Sequence, residues 1–187
     1  PATDVLVTGG RLRDNEFNIS AAVSSQFVSG LLFALASMGG GAVNITSEVA
    51  SAPYIELTIL CLLKSGVSVY RSGSRIEVSG TPKLSGRTVC EGDWSGAAFW
   101  LCAAAIGKAP ITVTGLDTGS PQGDRRVCDI LRAAGAGVSV CGGSVTVSPA
   151  PLRPLELNCS DIPDLVPALS LVCACADGVS RLSGIGR

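Results

Sequence analysis

Two serine-bearing segments stand directly in front of apolar runs. Ser24, Ser25 and Gln26 precede the run FVSGLLFALA, and Ser51 opens the segment SAPYIELTILCLL. If these runs are helices, the serines lie at helix N-termini, where free backbone N–H groups and the positive end of the helix dipole attract anions. The chemistry would be the binding of a phosphate or a carboxylate group. Serine is also a common N-cap residue, and spacing alone favours capping.

Two acids flank a proline at the start of a later apolar run. In the segment DIPD, Pro163 stiffens the beginning of a predicted helix, so that either Asp161 or Asp164 can cap it while the other acid does different work. A carboxylate beside a helix N-terminus is held ionised, which suits it to accept the proton of a substrate hydroxyl. Capping by both acids is the alternative, and the segment by itself does not decide between the two.

Acids also occur at the starts of two further predicted helices. They lie in the segments Glu91-Gly92-Asp93 and Gln122-Gly123-Asp124. Negative charge at these positions complements the helix dipole. We therefore expect these acids to cap their helices rather than to form a site.

The cysteines and the lack of histidine argue against metal or redox chemistry. None of the eight cysteines belongs to a Cys-x-x-Cys pair, and most lie within apolar runs such as ILCLL and LVCACA. We expect them to be small buried hydrophobic side chains in a reducing cytosol. Because the sequence has no histidine, it offers no imidazole base and no histidine ligand for a metal.

The elements that would position these residues recur along the chain. Hydrophobic periodicity, glycine and proline predict a first copy with strands at 17–20 and 42–48, helices at 24–40 and 51–66, and a hairpin at 67–80. A second copy has strands at 88–93 and 110–115, helices at 94–107 and 122–135, and a hairpin at 136–148. A third begins with a strand at 155–161, a helix at 163–178 and a strand at 179–184. The unit is βαβαββ, with a period of about 70 residues, since GVSVY begins at 66 and GVSVC at 137.

Such a unit cannot bury its own apolar surfaces, so copies are expected to pack on one another. The segments LLFALA and FWLCAAAI are apolar almost all round, which is typical of helices inside a core. We therefore predict an α/β fold of repeated βαβαββ units with helices inside and sheets outside. Because the third copy lacks its second helix and its hairpin, we expect a truncated fragment that leaves apolar faces exposed and that could self-associate.

Composition argues against two classes of partner. The formal charge of −1 provides no basic surface for nucleic acid or for an anionic membrane. The longest apolar stretch, 97–107, is too short to span a bilayer, and the first ten residues lack the pattern of a signal peptide. We expect a cytoplasmic protein.

Five segments, in their order and spacing, resemble the 3-phosphoshikimate 1-carboxyvinyltransferase (EPSP synthase) family. They are SSQFVSGLLFAL, SAPYIELT, EGDWSGAAFWLCAAA, the QGD helix start and DIPDLVPALS. The resemblance covers essentially the whole chain and implies the inside-out α/β barrel-like fold of enolpyruvyl transferases, with three βαβαββ units in each of two domains. Residues 1–88 would then be the last unit of the first domain, and residues 89–187 the first unit and part of the second unit of the second domain.

The resemblance also implies a reaction. Members of the family transfer the enolpyruvyl group of phosphoenolpyruvate to the 5-hydroxyl of shikimate 3-phosphate. This transferase step belongs to the shikimate pathway, which leads to chorismate and the aromatic amino acids. It needs no metal and no organic cofactor. The implied partners are therefore the two small-molecule substrates, and the implied state of the parent enzyme is a monomer.

Matched residue by residue, the family motifs imply substrate-binding roles. Ser24, Ser25 and Gln26 match the segment that binds shikimate 3-phosphate, with Gln26 also reaching phosphoenolpyruvate. Ser51 matches a phosphate contact, and Tyr54 lines the same site.

The remaining matches concern the catalytic step. Asp164 matches the cleft aspartate that binds the shikimate hydroxyls and is a proposed proton acceptor. Arg187 stands where some members have a substrate-binding asparagine, and we assign it no role. The lysines and arginines that hold phosphoenolpyruvate in the family lie outside this chain, so we expect the chain alone to be inactive. The alternatives are a non-catalytic scaffold module with the same fold and a fragment of UDP-N-acetylglucosamine enolpyruvyl transferase.

Overall fold

The computed structural model describes residues 6, 8–9, 14–84 and 86–186. Most of the N-terminal decapeptide and Arg187 therefore lie outside the described residues. No described helix is both long and apolar enough to cross a membrane.

The first βαβαββ unit is complete. It consists of β1 (Glu16–Ile19), α1 (Gln26–Ser37), β2 (Gly40–Ile45), α2 (Ala52–Lys64), β3 (Ser68–Ser72) and β4 (Arg75–Ser79). The sheet has the order β1-β2-β4-β3, with β1 parallel to β2 and the hairpin antiparallel. Along β4, Ile76 and Val78 are buried while Glu77 and Ser79 are exposed. One face of the sheet is therefore exposed to solvent, as the alternation of apolar and polar residues predicts.

The second unit repeats this topology without its first strand. It consists of α3 (Trp94–Ile106), β5 (Ile111–Thr114), a 3-10 turn (Gly123–Arg126) that continues into α4 (Val127–Ala133), β6 (Gly137–Cys141) and β7 (Ser144–Ser148). The order β5-β7-β6 matches β2-β4-β3 of the first unit.

The strand expected at 88–93 is not formed. Among the described residues, a single backbone hydrogen bond, 2.9 Å from Gly92 N to Gly115 O, links this segment to the end of β5. Its acids bind elsewhere, because Glu91 accepts hydrogen bonds from Ser120 and Asp93 caps α3. The segment therefore anchors a loop and a helix start instead of pairing along β5.

The third unit begins as predicted. It consists of β8 (Glu156–Asn158), a 3-10 turn (Pro163–Leu165), α5 (Val166–Ala174) and β9 (Arg181–Ser183), with β8 parallel to β9 as β1 is to β2. The helix ends at Ala174, earlier than the expected 178. The chain leaves the helix there because Asp177 N donates to Leu152 O at 3.1 Å.

Two separate cores result. The first lies between the sheet β1–β4 and the helices α1 and α2, and the second is formed by α3, α4, α5 and their strands. The largest fully buried side chains of the first core are Val28, Leu32, Leu35, Ile55, Leu62 and Ile76, and those of the second are Trp94, Leu101, Leu131, Ile162, Leu165 and Leu169.

The apolar helices bury only one face each. On α1, Phe27 and Phe33 are 52% and 49% exposed, and on α3, Phe99 and Trp100 are 50% and 64% exposed. The expectation that these helices are enclosed is thus wrong for these faces, because their own sheets and neighbouring helices cover a single side. The exposed rings agree with the expectation of uncovered apolar surface.

Burial of the cysteines is also less general than expected. Cys102, Cys128 and Cys159 are buried, and burial, with a smaller contribution from Cys173, raises the pKa of Cys102 to about 12. The expectation of burial is wrong for four others, which lie on an outward helix face, in a loop, in a hairpin and at a helix end. They are Cys61, Cys90, Cys141 and Cys175.

Candidate active site

The starts of α1 and α2 lie side by side at one edge of the first sheet. Each helix follows one of two parallel strands, so both helices begin at the carboxyl edge of the sheet. The two connecting loops are bonded together, since Ala50 N donates to Ala21 O at 3.1 Å and Ala21 N donates to Ser47 Oγ at 2.9 Å. The fold thereby brings the Ser24–Gln26 segment next to the Ser51 segment, as an anion site at paired helix N-termini requires.

The first of these helix starts is not capped by the side chain of Ser25. Ser25 occupies the N-cap position, is buried and makes no capping hydrogen bond. Ser24 Oγ accepts from Gln26 N at 3.2 Å, and the Gln26 side chain is exposed. The preference for simple capping is therefore wrong at Ser25.

The second helix start is strained. Ser51 has φ 56° and ψ 49°, which makes it the only described non-glycine residue with a positive φ, and its side chain does not cap α2. An L-residue in this left-handed region costs about 1–2 kcal/mol. Such outliers persist where surrounding structure holds them, and they cluster at functional sites. Capping, which spacing favoured, is wrong here too.

Tyr54, in the first turn of α2, connects the three units. Its hydroxyl oxygen lies 2.8 Å from Asp164 Oδ2 in the third unit and 3.2 Å from Asp124 Oδ2 in the second unit. Burial, followed by the hydrogen bond to Asp164 and the negative charge of Asp124, raises the pKa of the Tyr54 phenol well above its ordinary value. The phenol is therefore a hydrogen-bond donor throughout the physiological pH range.

Asp164 is the exposed member of this cluster. It lies in the 3-10 turn that begins at Pro163, and no side chain caps that turn at Ile162. The structure thus favours the alternative in which Asp164 does work other than capping, since its carboxylate accepts the Tyr54 hydrogen bond and faces solvent.

Asp124 is the buried member, with 1% of its surface exposed. Oδ2 accepts a hydrogen bond from Ser95 Oγ and lies 3.2 Å from the Tyr54 hydroxyl oxygen, whereas Oδ1 is buried with no hydrogen-bond partner among the described residues. Burial raises the pKa of Asp124, the charges of Asp164 and Asp93 act in the same direction, and the hydrogen bonds from Ser95 and Tyr54 oppose them. The expectation that Asp124 caps a helix is wrong, because its side chain points into the contact between units.

The sequence of the chain clearly matches one family of known proteins. The sequence profile described as EPSP synthase (3-phosphoshikimate 1-carboxyvinyltransferase) matches residues 2–187. The chain belongs to the EPSP synthase family. A 3-phosphoshikimate 1-carboxyvinyltransferase of Methanopyrus kandleri is 39% identical over 184 residues, covering 98% of this chain and 42% of the relative. One of Clostridium kluyveri is 36% identical over 185 residues, covering 97% and 43%.

Solved structures support the fold. An EPSP synthase of Acinetobacter baumannii aligns with a TM-score of 0.68 and 24% identity, covering 93% of this chain and 41% of that one. The enolpyruvyl transferase NikO of Streptomyces tendae aligns with a TM-score of 0.63 and 18% identity, covering 89% and 43%. The predicted enolpyruvyl transferase fold is confirmed. The chain spans about two fifths of the length of the relatives it matches.

The EPSP synthase relatives also weigh against the alternatives from the sequence. Their names favour the shikimate enzyme over the nucleotide-sugar transferase and over a non-catalytic module. The resemblance stated from five motifs is confirmed at the level of the family.

Two members of this polar cluster, Asp124 and Ser95, are not identified as site residues from the sequence. The sequence predicts that Asp124 caps a helix, and it gives no role to Ser95. Both lie next to glycine at the start of a helical segment, which is the pattern of a cap. The one available signal is the QGD motif itself, because Gln122 Oε1 accepts from Trp94 N at 2.9 Å and so ties the two helix starts together. Of the acids predicted to cap, Asp93 does so, accepting from Ser95 N and Gly96 N.

Proposed function

We propose that this chain is part of an enzyme that transfers the enolpyruvyl group of phosphoenolpyruvate to the 5-hydroxyl of shikimate 3-phosphate. The observation that carries the proposal is the exposed carboxylate of Asp164, bonded by Tyr54 beside the α2 helix start, in a chain of the EPSP synthase family. A carboxylate within reach of a substrate hydroxyl can remove its proton as the carbon–oxygen bond forms. The reaction belongs to the shikimate pathway and uses no metal or organic cofactor.

The serine-bearing helix starts would bind the sugar phosphate. In this proposal Ser24, Ser25 and Gln26 contact shikimate 3-phosphate, with Gln26 also reaching phosphoenolpyruvate, while Ser51 donates to a phosphate and Tyr54 lines the same site. The adjacency of the two loops supports this assignment, because backbone N–H groups from two helix N-termini then face one anion. The left-handed backbone of Ser51 supports it as well, since strain of this kind is a feature of binding sites.

Asp164 would have two roles. It would accept hydrogen bonds from the shikimate ring hydroxyls and take the proton of the attacking hydroxyl. The 2.8 Å hydrogen bond from Tyr54 supports these roles, because it fixes one carboxylate oxygen while the side chain stays exposed. A charged hydrogen bond of this kind is shorter and stronger than a neutral one.

The domain assignment follows the two cores. We propose that residues 1–88 are the last unit of a first domain and residues 89–187 the first unit and part of the second unit of another. The separation of the buried clusters supports this division. The exposed rings of Phe27, Phe33, Phe99 and Trp100, with relatives more than twice as long, support packing of these faces on further units. In isolation the same faces would lead copies of the chain to associate, whereas the longer protein would be a monomer.

The same reasoning suggests the partners and the compartment. The partners would be the two anionic small molecules rather than nucleic acid or a membrane, since the net charge is −1. A cytoplasmic location agrees with this charge and with the reduced cysteines expected from the sequence.

The chain alone would not convert the two substrates to product. Two anionic substrates need cations, and in the described part of the chain the hydrogen bonds of Tyr54, Asp124 and Asp164 involve no lysine or arginine. Incubating the chain with both substrates is expected to yield no product, and clear product formation would contradict this part of the proposal. Calorimetry with shikimate 3-phosphate is expected to give weak or absent binding, and any binding that is measured is expected to be weaker for Gln26→Ala. Equal, tight binding by both proteins would remove Gln26 from the site.

A chimera tests the catalytic proposal. In it, this chain replaces the matching segment of the Methanopyrus kandleri relative, and enolpyruvyl transfer is measured with shikimate 3-phosphate and with UDP-N-acetylglucosamine as acceptors. We expect activity with the first acceptor only. Asp164→Asn is expected to lower kcat by about 100-fold or more, the usual range for a lost general base. Asp177→Asn, which changes an exposed acid after α5, is the matched control and is expected to leave kcat unchanged.

The possible results of the chimera experiment distinguish the proposed activity from its alternatives. Circular dichroism establishes that the chimera and both variants are folded before rates are compared. A folded chimera that is inactive, or an Asp164→Asn variant as active as Asp177→Asn, would overturn the assignment. Transfer to the nucleotide sugar in place of the shikimate acceptor would replace it with the sister activity.

A further inference from the structure

The Tyr54 hydroxyl has more acceptors than it has protons. Its oxygen lies 2.8 Å from Asp164 Oδ2 and 3.2 Å from Asp124 Oδ2. A phenol carries a single proton and can also accept a hydrogen bond. If both acids are ionised, one of the two close contacts joins oxygens with no proton between them. A second proton within the cluster removes this conflict.

The surroundings of Asp124 indicate where that proton resides. Among the described residues, the groups that face its carboxyl are Tyr54 from α2, Ser95 and Asp93 from the start of α3, and Asp164 from the 3-10 turn, and none of these four is cationic. Its Oδ1 is buried without a partner among the described residues. An ionised carboxylate in such a place loses its hydration, and few hydrogen bonds or opposite charges compensate for that loss. A neutral acid leaves only a carbonyl oxygen without a hydrogen bond.

We propose that Asp124 is a positioning residue that keeps its own proton on Oδ2, donates it to the Tyr54 oxygen and so directs the Tyr54 proton onto Asp164. Oδ2 still accepts from Ser95 in this arrangement, so every proton of the cluster has one acceptor. The consequence for catalysis rests on the function proposed above, in which Asp164 takes the proton of the substrate hydroxyl.

The arrangement gives the hydrogen bonds a single direction. They run from the buried acid through the phenol to the exposed carboxylate, and the residues come from the second, first and third units in turn. Asp164 keeps its donor whether or not substrate is bound, and its second oxygen is left to face the substrate hydroxyl. The direction in which burial and the neighbouring acids move the pKa of Asp124 agrees with a retained proton.

The protonation state can be measured on this chain without substrate. Carbon-13 NMR of aspartate-labelled protein reports each carboxyl, and the Asp124 signal is identified by its loss in Asp124→Asn. We expect the neutral-acid shift for Asp124 near neutral pH, while the exposed Asp177 shows the carboxylate shift. A carboxylate shift for Asp124 at that pH would overturn the proposal.

The positioning role is tested in the active chimera with two substitutions. Asp124→Asn keeps a neutral group that can donate to Tyr54 and is expected to hold kcat/KM within about threefold of the parent. Asp124→Leu cannot donate and is expected to lower kcat/KM by about tenfold, the equivalent of one hydrogen bond. Equal activity of the two variants, or an equal loss in both, would contradict the role.

The two proposals fail differently. A neutral Asp124 in a chimera that does not transfer enolpyruvyl groups overturns the function and leaves the proton assignment standing. An ionised Asp124 in an active chimera overturns the assignment and leaves the function standing. Melting curves of Asp124→Asn and Asp124→Leu show whether lost activity comes from unfolding, in which case the NMR result decides.

Discussion

The hydroxyl of Tyr54 lies 2.8 Å from the carboxylate of Asp164, a residue 110 positions further along the chain. Tyr54 belongs to the first βαβαββ unit and Asp164 to the third, so this hydrogen bond joins elements that share no sheet and no core. The buried Asp124 of the second unit lies within 3.2 Å of the same oxygen. Three helical segments from three units thus meet at a single phenol.

Removing that hydroxyl is expected to destabilise the chain. Tyr54→Phe leaves the buried Asp124 with one partner fewer and is expected to lower the free energy of unfolding by about 1–3 kcal/mol, the cost of an unsatisfied buried polar group. Tyr70→Phe is the matched control, because Tyr70 is 67% exposed on β3 and is expected to change stability by less than about 0.5 kcal/mol. Urea unfolding measures both, and equal effects would contradict the structural role of the Tyr54 hydroxyl.

The left-handed backbone at Ser51 predicts an order between two variants. Ser51→Gly and Ser51→Ala both lose the hydroxyl, but only glycine adopts φ 56° without strain. We expect the glycine variant to be more stable than the alanine variant by about 1 kcal/mol, the low end of the cost of this conformation. Thermal melts of the two proteins test this. An alanine variant at least as stable as the glycine variant would show that the site does not hold this backbone.

Gly123 lies where α2 and the third unit approach the QGD turn. A Cβ at this position would lie 3.0 Å from Asp161 O and 3.2 Å from Pro53 Cγ. A backbone carbonyl and a proline ring cannot move aside easily, so Gly123→Ala is expected to cost about 1–3 kcal/mol.

Gly30 provides the opposite case for comparison. It lies in α1 with nothing within 4 Å of an added Cβ, and Gly30→Ala is expected to raise stability by about 0.8–1.0 kcal/mol through helix propensity. Chemical denaturation of both variants is the measurement. A destabilising effect at Gly30 that matched the effect at Gly123 would mean that the contact with Asp161 and Pro53 is unimportant.

The raised pKa of Asp124 predicts a pH dependence of stability. Because the folded state binds this proton more tightly than the unfolded state, the stabilisation is complete below the ordinary value of 3.8 and is lost as pH rises through the higher folded pKa. We expect the free energy of unfolding to fall with rising pH over this interval, relative to Asp124→Asn, which does not titrate. Urea unfolding across the acidic range measures the difference, and a pH-independent difference would rule out a raised pKa.

The βαβαββ units could be predicted from the sequence because the patterns that indicate them are local. Helix periodicity, the hairpin alternation and the repeat of GVSV each depend on neighbouring residues, and the observed sheets keep the same order in the first two units. The strand missing at 88–93 shows the limit of such signals. Its β-branched residues suit a strand, but Glu91 binds side chains of the next loop, a contact that no local pattern reveals.

The polar cluster shows the same limit more strongly. The family motifs predict site roles for Tyr54 and Asp164, whereas Asp124 and Ser95 follow the pattern of helix caps. Which acid caps and which is buried depends on how the units pack. The capping preference also fails at Ser25 and Ser51, whose side chains make no capping hydrogen bond. Tyr54 is separated from Asp124 by 70 positions and from Asp164 by 110 positions, so these residues come into contact only in the folded chain.

The order in which these residues are synthesised has a kinetic consequence. Tyr54 leaves the ribosome well before Asp164, and each sheet can form while the phenol still faces water. The contacts among Tyr54, Asp124 and Asp164 can form only after the three units have packed together, which we expect late in folding. Substitutions at Tyr54 are therefore expected to speed unfolding while leaving the refolding rate nearly unchanged.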